Sequence, residues 1–143
     1  AVRLDLAHPD LCDAAIRSAL ADGQPRVIGL GLGALQQSCP ADLADLVATI
    51  AADPSRTEEM RVLAAGALGA CRHPAALSTL VALVDGGHTL LGRPRLAPAS
   101  PLCLAALRAL ARQFPKDSTA EPYLKLARSS SIEGVRSTVA PEA

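Results

Sequence analysis

Apolar residues recur along this chain at the spacing of helix faces, and the faces themselves recur. Leu43, Leu46, Val47 and Ile50 stand at i, i+3, i+4 and i+7, which places them on one side of an α-helix. The set returns 34 residues later as Leu77, Leu80, Val81 and Val84. Cys12, Ala15, Ile16 and Ala19 precede it by 31 residues, and Tyr123, Leu124 and Ala127 follow Leu80, Val81 and Val84 by 43. A second family lies between these segments. Val27, Gly31, Ala34 and Leu35 align with Met60, Ala64, Ala67 and Leu68 at an offset of 33, then with Leu102, Ala106, Ala109 and Leu110 after a step of 42. A last step of 33 reaches Val135 and Val139, so the longer step is the same period with nine residues inserted.

Punctuation at the segment ends predicts where each helix begins. Pro9, Pro25, Pro40, Pro54, Pro74 and Pro101 suit a first helical turn, where the missing N–H has no partner to lose. Asp53 and Ser100 precede two of them as N-caps, Ser55 with Glu58 offers a competing capping box, and Gly23 and Gly86 mark helix ends. The expected first-family helices are 9–22, 40–52, 74–85 and 118–130; the second-family helices are 25–38, 55–71, 100–114 and 132–140. The chain therefore reads as one all-α domain over 1–143, a helical repeat of four hairpins at 9–38, 40–71, 74–114 and 118–140, with an inserted loop at 86–99 and no sheet to speak of.

Composition agrees. Half of the residues are hydrophobic, with one Phe, one Tyr and no Trp, so the core must be built from Ala, Leu, Val and Ile at close helix spacing. Fourteen basic residues balance fourteen acidic ones, which removes any global attraction to nucleic acid or an anionic membrane. The halves differ, however: residues 1–85 carry six basic against ten acidic side chains, and residues 86–143 carry eight against four. No uninterrupted apolar stretch reaches the ~18–20 residues of a membrane span. Cys12, Cys39, Cys71 and Cys103 show no CxxC pairing, which points to a reduced, cytoplasmic setting. The start at Ala1 suggests a piece of a longer protein.

The Glu59-Met60-Arg61 segment followed by Ala64, Ala67, Leu68 and Gly69, with Gly134-Val135-Arg136 in the last copy, resembles the HEAT-repeat family, especially its short bacterial type. The resemblance spans essentially the whole chain and implies an α-solenoid. Ile28 and Cys103 replace the Arg in the first and third copies, so a ladder of stacked Arg would be broken there. Some members of that family bind DNA, act on alkylated bases or attach bilins, which implies as the alternative a nucleic-acid binder or an enzyme of lyase or glycosylase type.

Residues with reactive side chains have structural explanations close at hand. His8 and His73 each precede the Pro that opens a first-family helix, and His88 has only Asp85 near it at ligand spacing. Asp42, Asp45, Glu58 and Glu59 fall in first helical turns, where the helix dipole favours negative charge. Gly29, Gly31 and Gly33 lack the preceding strand of a dinucleotide site and read as permitting close helix approach. Cys71 alone among the cysteines has basic neighbours, Arg72 and His73, yet small buried thiols pack well in such interiors. No catalytic residue, metal or cofactor is expected.

The second-family helices carry apolar residues beyond their packing positions: Gly29, Leu32 and Gly33, then Val62, Ala65, Gly66 and Gly69, then Leu104 and Leu107. Lining a concave surface, these would form a smooth apolar stripe, with Arg108 beside it, for a protein partner or another domain of the parent chain. Arg108, Arg112, Lys116, Lys125, Arg128 and Arg136 form a weak basic run suited to solvent or to an acidic protein, and base-stacking aromatics are missing. In the inserted loop, Leu90, Leu91 and Leu96 are expected to anchor an extended segment that points Arg93 and Arg95 outward at the same partner. The expected role is a non-enzymatic scaffold.

Overall fold

The computed structural model describes residues 9–139, and the side chains from Ala14 onward. The protein is all-α: eight α-helices among the described residues, with one two-stranded hairpin. The helices are α1 (Pro9–Leu20), α2 (Pro25–Ala34), α3 (Ala44–Ala52), α4 (Glu58–Leu68), α5 (Pro74–Val84), α6 (Pro101–Gln113), α7 (Glu121–Arg128) and α8 (Glu133–Thr138).

Local chemistry sets their starts. Ser100 Oγ accepts from the Cys103 N–H at 3.1 Å and caps α6. His73 caps α5, its Nδ1 accepting from the Ala75 N–H at 3.0 Å; its counterpart His8 lies outside the described residues. At α4 neither expected cap operates. Asp53 Oδ1 instead accepts from the Ser55 N–H at 2.9 Å and the Ser55 hydroxyl at 2.6 Å, closing a side-chain turn that delays the helix until Thr57 caps it through the Met60 N–H at 3.3 Å. The same bonds hold the Asp53 carboxyl below its ordinary range. Asp117 likewise accepts from the Thr119 N–H at 2.8 Å, and α7 begins at Glu121 rather than at 118.

Helices adjacent in sequence pack as pairs: α1 on α2, α3 on α4, α5 on α6 and α7 on α8. The second members also meet in series, α2 with α4, α4 with α6 and α6 with α8, while α3 meets α5. A single apolar core runs from Ile16 to Val139 through these contacts. Small residues let the axes close up. A Cβ at Gly69 would stand 2.9 Å from the Cα of Ala109, so α4 and α6 touch there through backbone.

Two expectations are corrected by this packing. Leu32, Ala65 and Leu107 occupy equivalent positions on α2, α4 and α6, and all three are fully buried. Helices α4 and α6 each have a helix behind them and another on each side, and α2 packs on α1 and α4, so these three positions of the expected outward stripe are consumed by helix packing. The insertion, for its part, is not an extended loop. Strands β1 (Asp85–His88) and β2 (Pro94–Leu96) pair antiparallel, Asp85 opposite Leu96 and His88 opposite Pro94, and the Ala97 N–H donates to the Val84 carbonyl at 2.7 Å. Gly86 lies so close to the Leu96 carbonyl that no side chain fits. Gly87 takes φ of +97° at the irregularity in register within β1, and Gly92 takes +78° in the turn that joins the strands. Leu96 and Ala97 pack on the core as expected of Leu96, whereas Leu90 and Leu91 stand 107% and 84% exposed at the tip and anchor nothing.

Candidate functional site

An open groove of about 960 Å³ runs beside α4 and α6, and residues of α7 and α8 also line it. Val62, Leu63, Gly66 and Gly69 of the α4 segment and Ala105 and Ala109 of α6 give it a shallow apolar floor. Arg108 and Arg112 of α6 and Arg128 of α7 line it with charge; all three are exposed. No Asp, Glu, His or Cys stands among its described lining residues.

Gln36, just past α2, organises the far wall. Its Nε2 donates to the Leu63 carbonyl at 2.8 Å and to that of Leu32 at 3.0 Å, and its Oε1 sits where Gly66 has no side chain. Its backbone carbonyl accepts from Arg112 Nη1 at 2.9 Å. One guanidinium of the groove is therefore held in place by a residue 76 positions away, which joins three second-family segments across the opening.

The sequence-derived site residues are divided by this geometry. Val62, Gly66 and Arg108 line the groove. Leu32, Ala65 and Leu107 are core, and Leu104 is half-buried against that core. Gly29 sits half-buried at α2 with Leu63 Cδ1 4.0 Å from where its Cβ would be, and Gly33 faces open space. Arg93 and Arg95 are exposed on the hairpin. Sequence reasoning missed Leu63, Ala105 and Gln36. It assigned Arg108 to the site but left Arg112 and Arg128 in a basic run, because Arg128 joins Arg108 and Arg112 only through the packing of α7 beside α6.

The remaining reactive side chains are arranged for structure. Cys39 and Cys71 come together, each thiol directed at the Pro40 carbonyl, at 3.6 and 3.8 Å. Burial first, then the neighbouring Cys71 and Asp42, push the Cys39 thiol up to about 12, and burial raises Cys71 and Cys103 as well. Cys103 directs its thiol at the Ala97 carbonyl at 3.8 Å. The side chain of Cys12 lies outside the described ones. Asp42 pairs with Arg17 at 2.8 Å, which ties α1 to the turn before α3. Among the described residues no three His, Cys, Asp or Glu side chains gather as a metal site, and no helix is long and apolar enough to cross a membrane.

No protein-family model, curated protein or solved structure matches this chain.

Proposed function

We propose that this chain is a short α-solenoid of four HEAT-like helical hairpins that acts as a non-enzymatic protein-interaction module, taking a partner segment into the groove beside α4 and α6. The solenoid reading is supported by contacts that run from each second-family helix to the next, and by Arg61 and Arg136. These occupy equivalent repeat positions, and each donates to a carbonyl at the end of the preceding helix or just past it: Ala51 at 2.9 Å and Ser130 at 2.7 Å.

The observation that carries the interaction reading is the groove's lining. Small apolar residues flanked by guanidinium groups give a surface that excludes water over its floor and holds fixed charge at its edge, which are the elements of a recognition surface. Acid–base chemistry would need a titratable pair, and the described lining supplies none. The test is to substitute Ala105, half-buried on the floor, with an uncharged but longer side chain. A partner captured by the wild-type chain should be lost by A105Q at an unchanged thermal midpoint. Capture that is insensitive to A105Q would place binding elsewhere and end this reading.

The arginines support one second reading, a nucleic-acid backbone in the same groove. It is the weaker of the two, because the described lining contains no aromatic ring on which a base could stack.

A further inference from the structure

We infer that the occupant of the groove is an amphipathic helix of a partner protein carrying carboxylates one turn apart along one edge. This deepens the interaction reading above and rests on it. Three features point to that chemistry. The first is charge: Arg108, Arg112 and Arg128 line one groove, no carboxylate lines it among the described residues, and neither Arg108 nor Arg128 forms an ion pair within the described residues. In a chain whose charges cancel overall, this is a local excess of three positive charges facing a shared space.

The second is spacing. Arg108 and Arg112 are four residues apart on α6, hence ~6 Å along the helix axis and on one face. Carboxylates at i and i+4 of a partner helix repeat that distance, and Arg pairs carboxylates bidentately. Arg112 is already fixed by the Gln36 carbonyl, so less side-chain freedom is lost when a partner pairs with it. The third is the floor. Gly66 is covered by Gln36 and Gly69 packs on Ala109, but Val62, Leu63 and Ala105 remain partly exposed beside them and give a partner helix an apolar surface on which to lay its own apolar face.

The test pans a phage-displayed library of randomised helix-forming peptides against the full chain. Enriched sequences should carry more Asp and Glu than Lys and Arg, with an i, i+4 acidic pair opposite an apolar face. Synthesised, they should lose at least about tenfold in affinity for R108E/R128E, and weaken as salt is raised. Replacing their Glu by Lys should restore binding to that double variant, a rescue that misfolding cannot imitate. Enriched peptides that are neutral or basic, or indifferent to R108E/R128E, overturn the acidic-helix inference; if such peptides are still lost with A105Q, the interaction reading survives it. A library that yields no A105Q-sensitive peptide overturns both. Tighter binding of a 20-mer oligothymidylate than of any acidic peptide overturns the inference in favour of nucleic acid.

Discussion

Arg61 Nε donates to the carbonyl oxygen of Ala51 at 2.9 Å, across the turn that joins α3 to α4. Ala51 is fully buried at the end of α3, where helical carbonyls run out of backbone partners. The guanidinium therefore does the work of a C-cap while its charge meets the negative end of the helix dipole.

Removing that donor leaves a buried acceptor unsatisfied. Arg61→Ala is expected to lower unfolding free energy by about 1.5–3 kcal/mol, read from urea denaturation. Arg136→Ala, on an exposed residue whose acceptor Ser130 is more open, should cost under ~1 kcal/mol. Equal effects at the two sites would show that Arg61 is not acting through the buried carbonyl.

The buried equivalents on α2, α4 and α6 respond as core. Leu107→Ala should cost about 2–5 kcal/mol, and Leu32→Glu or Leu107→Glu should unfold the domain by burying an unpaired charge. A folded L107E protein, seen as a retained cooperative melt, would return Leu107 to the surface.

Glycines of the second family should separate by what surrounds them. Gly69→Ala forces α4 away from the Ala109 backbone and is expected to destabilise by about 1–3 kcal/mol. Gly33, inside α2, has nothing within 4 Å of where a Cβ would stand. Gly33→Ala should therefore stabilise, by about 0.5–1 kcal/mol of helix propensity. A thermal midpoint that rose for Gly69→Ala would refute the contact assigned to Gly69, and one that fell for Gly33→Ala would refute the open space assigned to Gly33.

Alkali should destabilise this protein through its thiols. Cys39, Cys71 and Cys103 all have folded-state values above the ordinary thiol value of 9.0, that of Cys39 reaching about 12. The folded chain then holds protons that the unfolded chain releases, so their contribution is complete below pH 9.0 and is lost as pH rises towards about 12. Native protein at pH 8 should react with a thiol-specific disulfide reagent at these three positions far more slowly than protein in denaturant. Immediate native-state reaction of Cys39 or Cys71 would show an exposed pair.

The hairpin tip and base should behave oppositely. Leu90→Ser with Leu91→Ser removes side chains that touch only solvent and should leave the thermal midpoint unchanged, whereas Leu96→Ala should lower it. A midpoint that fell with the tip leucines would mean that they dock.

The order and number of the helices were legible in the chain, because their causes are local. Pro9, Pro25, Pro74 and Pro101 open α1, α2, α5 and α6, Ser100 caps α6, and the i, i+3, i+4 apolar faces recur at a fixed period, all within the reach of a few residues. Where local signals competed, as at Asp53, Ser55 and Thr57, the boundary shifted by a turn. What only the packed chain decided is which residues of a nearly all-apolar helix face outward. Leu32, Ala65 and Leu107 went to the core, and Val62, Gly66 and Arg108 to the groove, although Gly66 and Arg108 stand at the same repeat spacing of 42 as Ala65 and Leu107. Periodicity names the faces of a helix; the number and position of neighbouring helices determine which face stays open. Arg128 at the groove, Gln36 on Arg112 and Cys39 beside Cys71 belong to the same class of fact, each produced by segments that meet only when the hairpins stack.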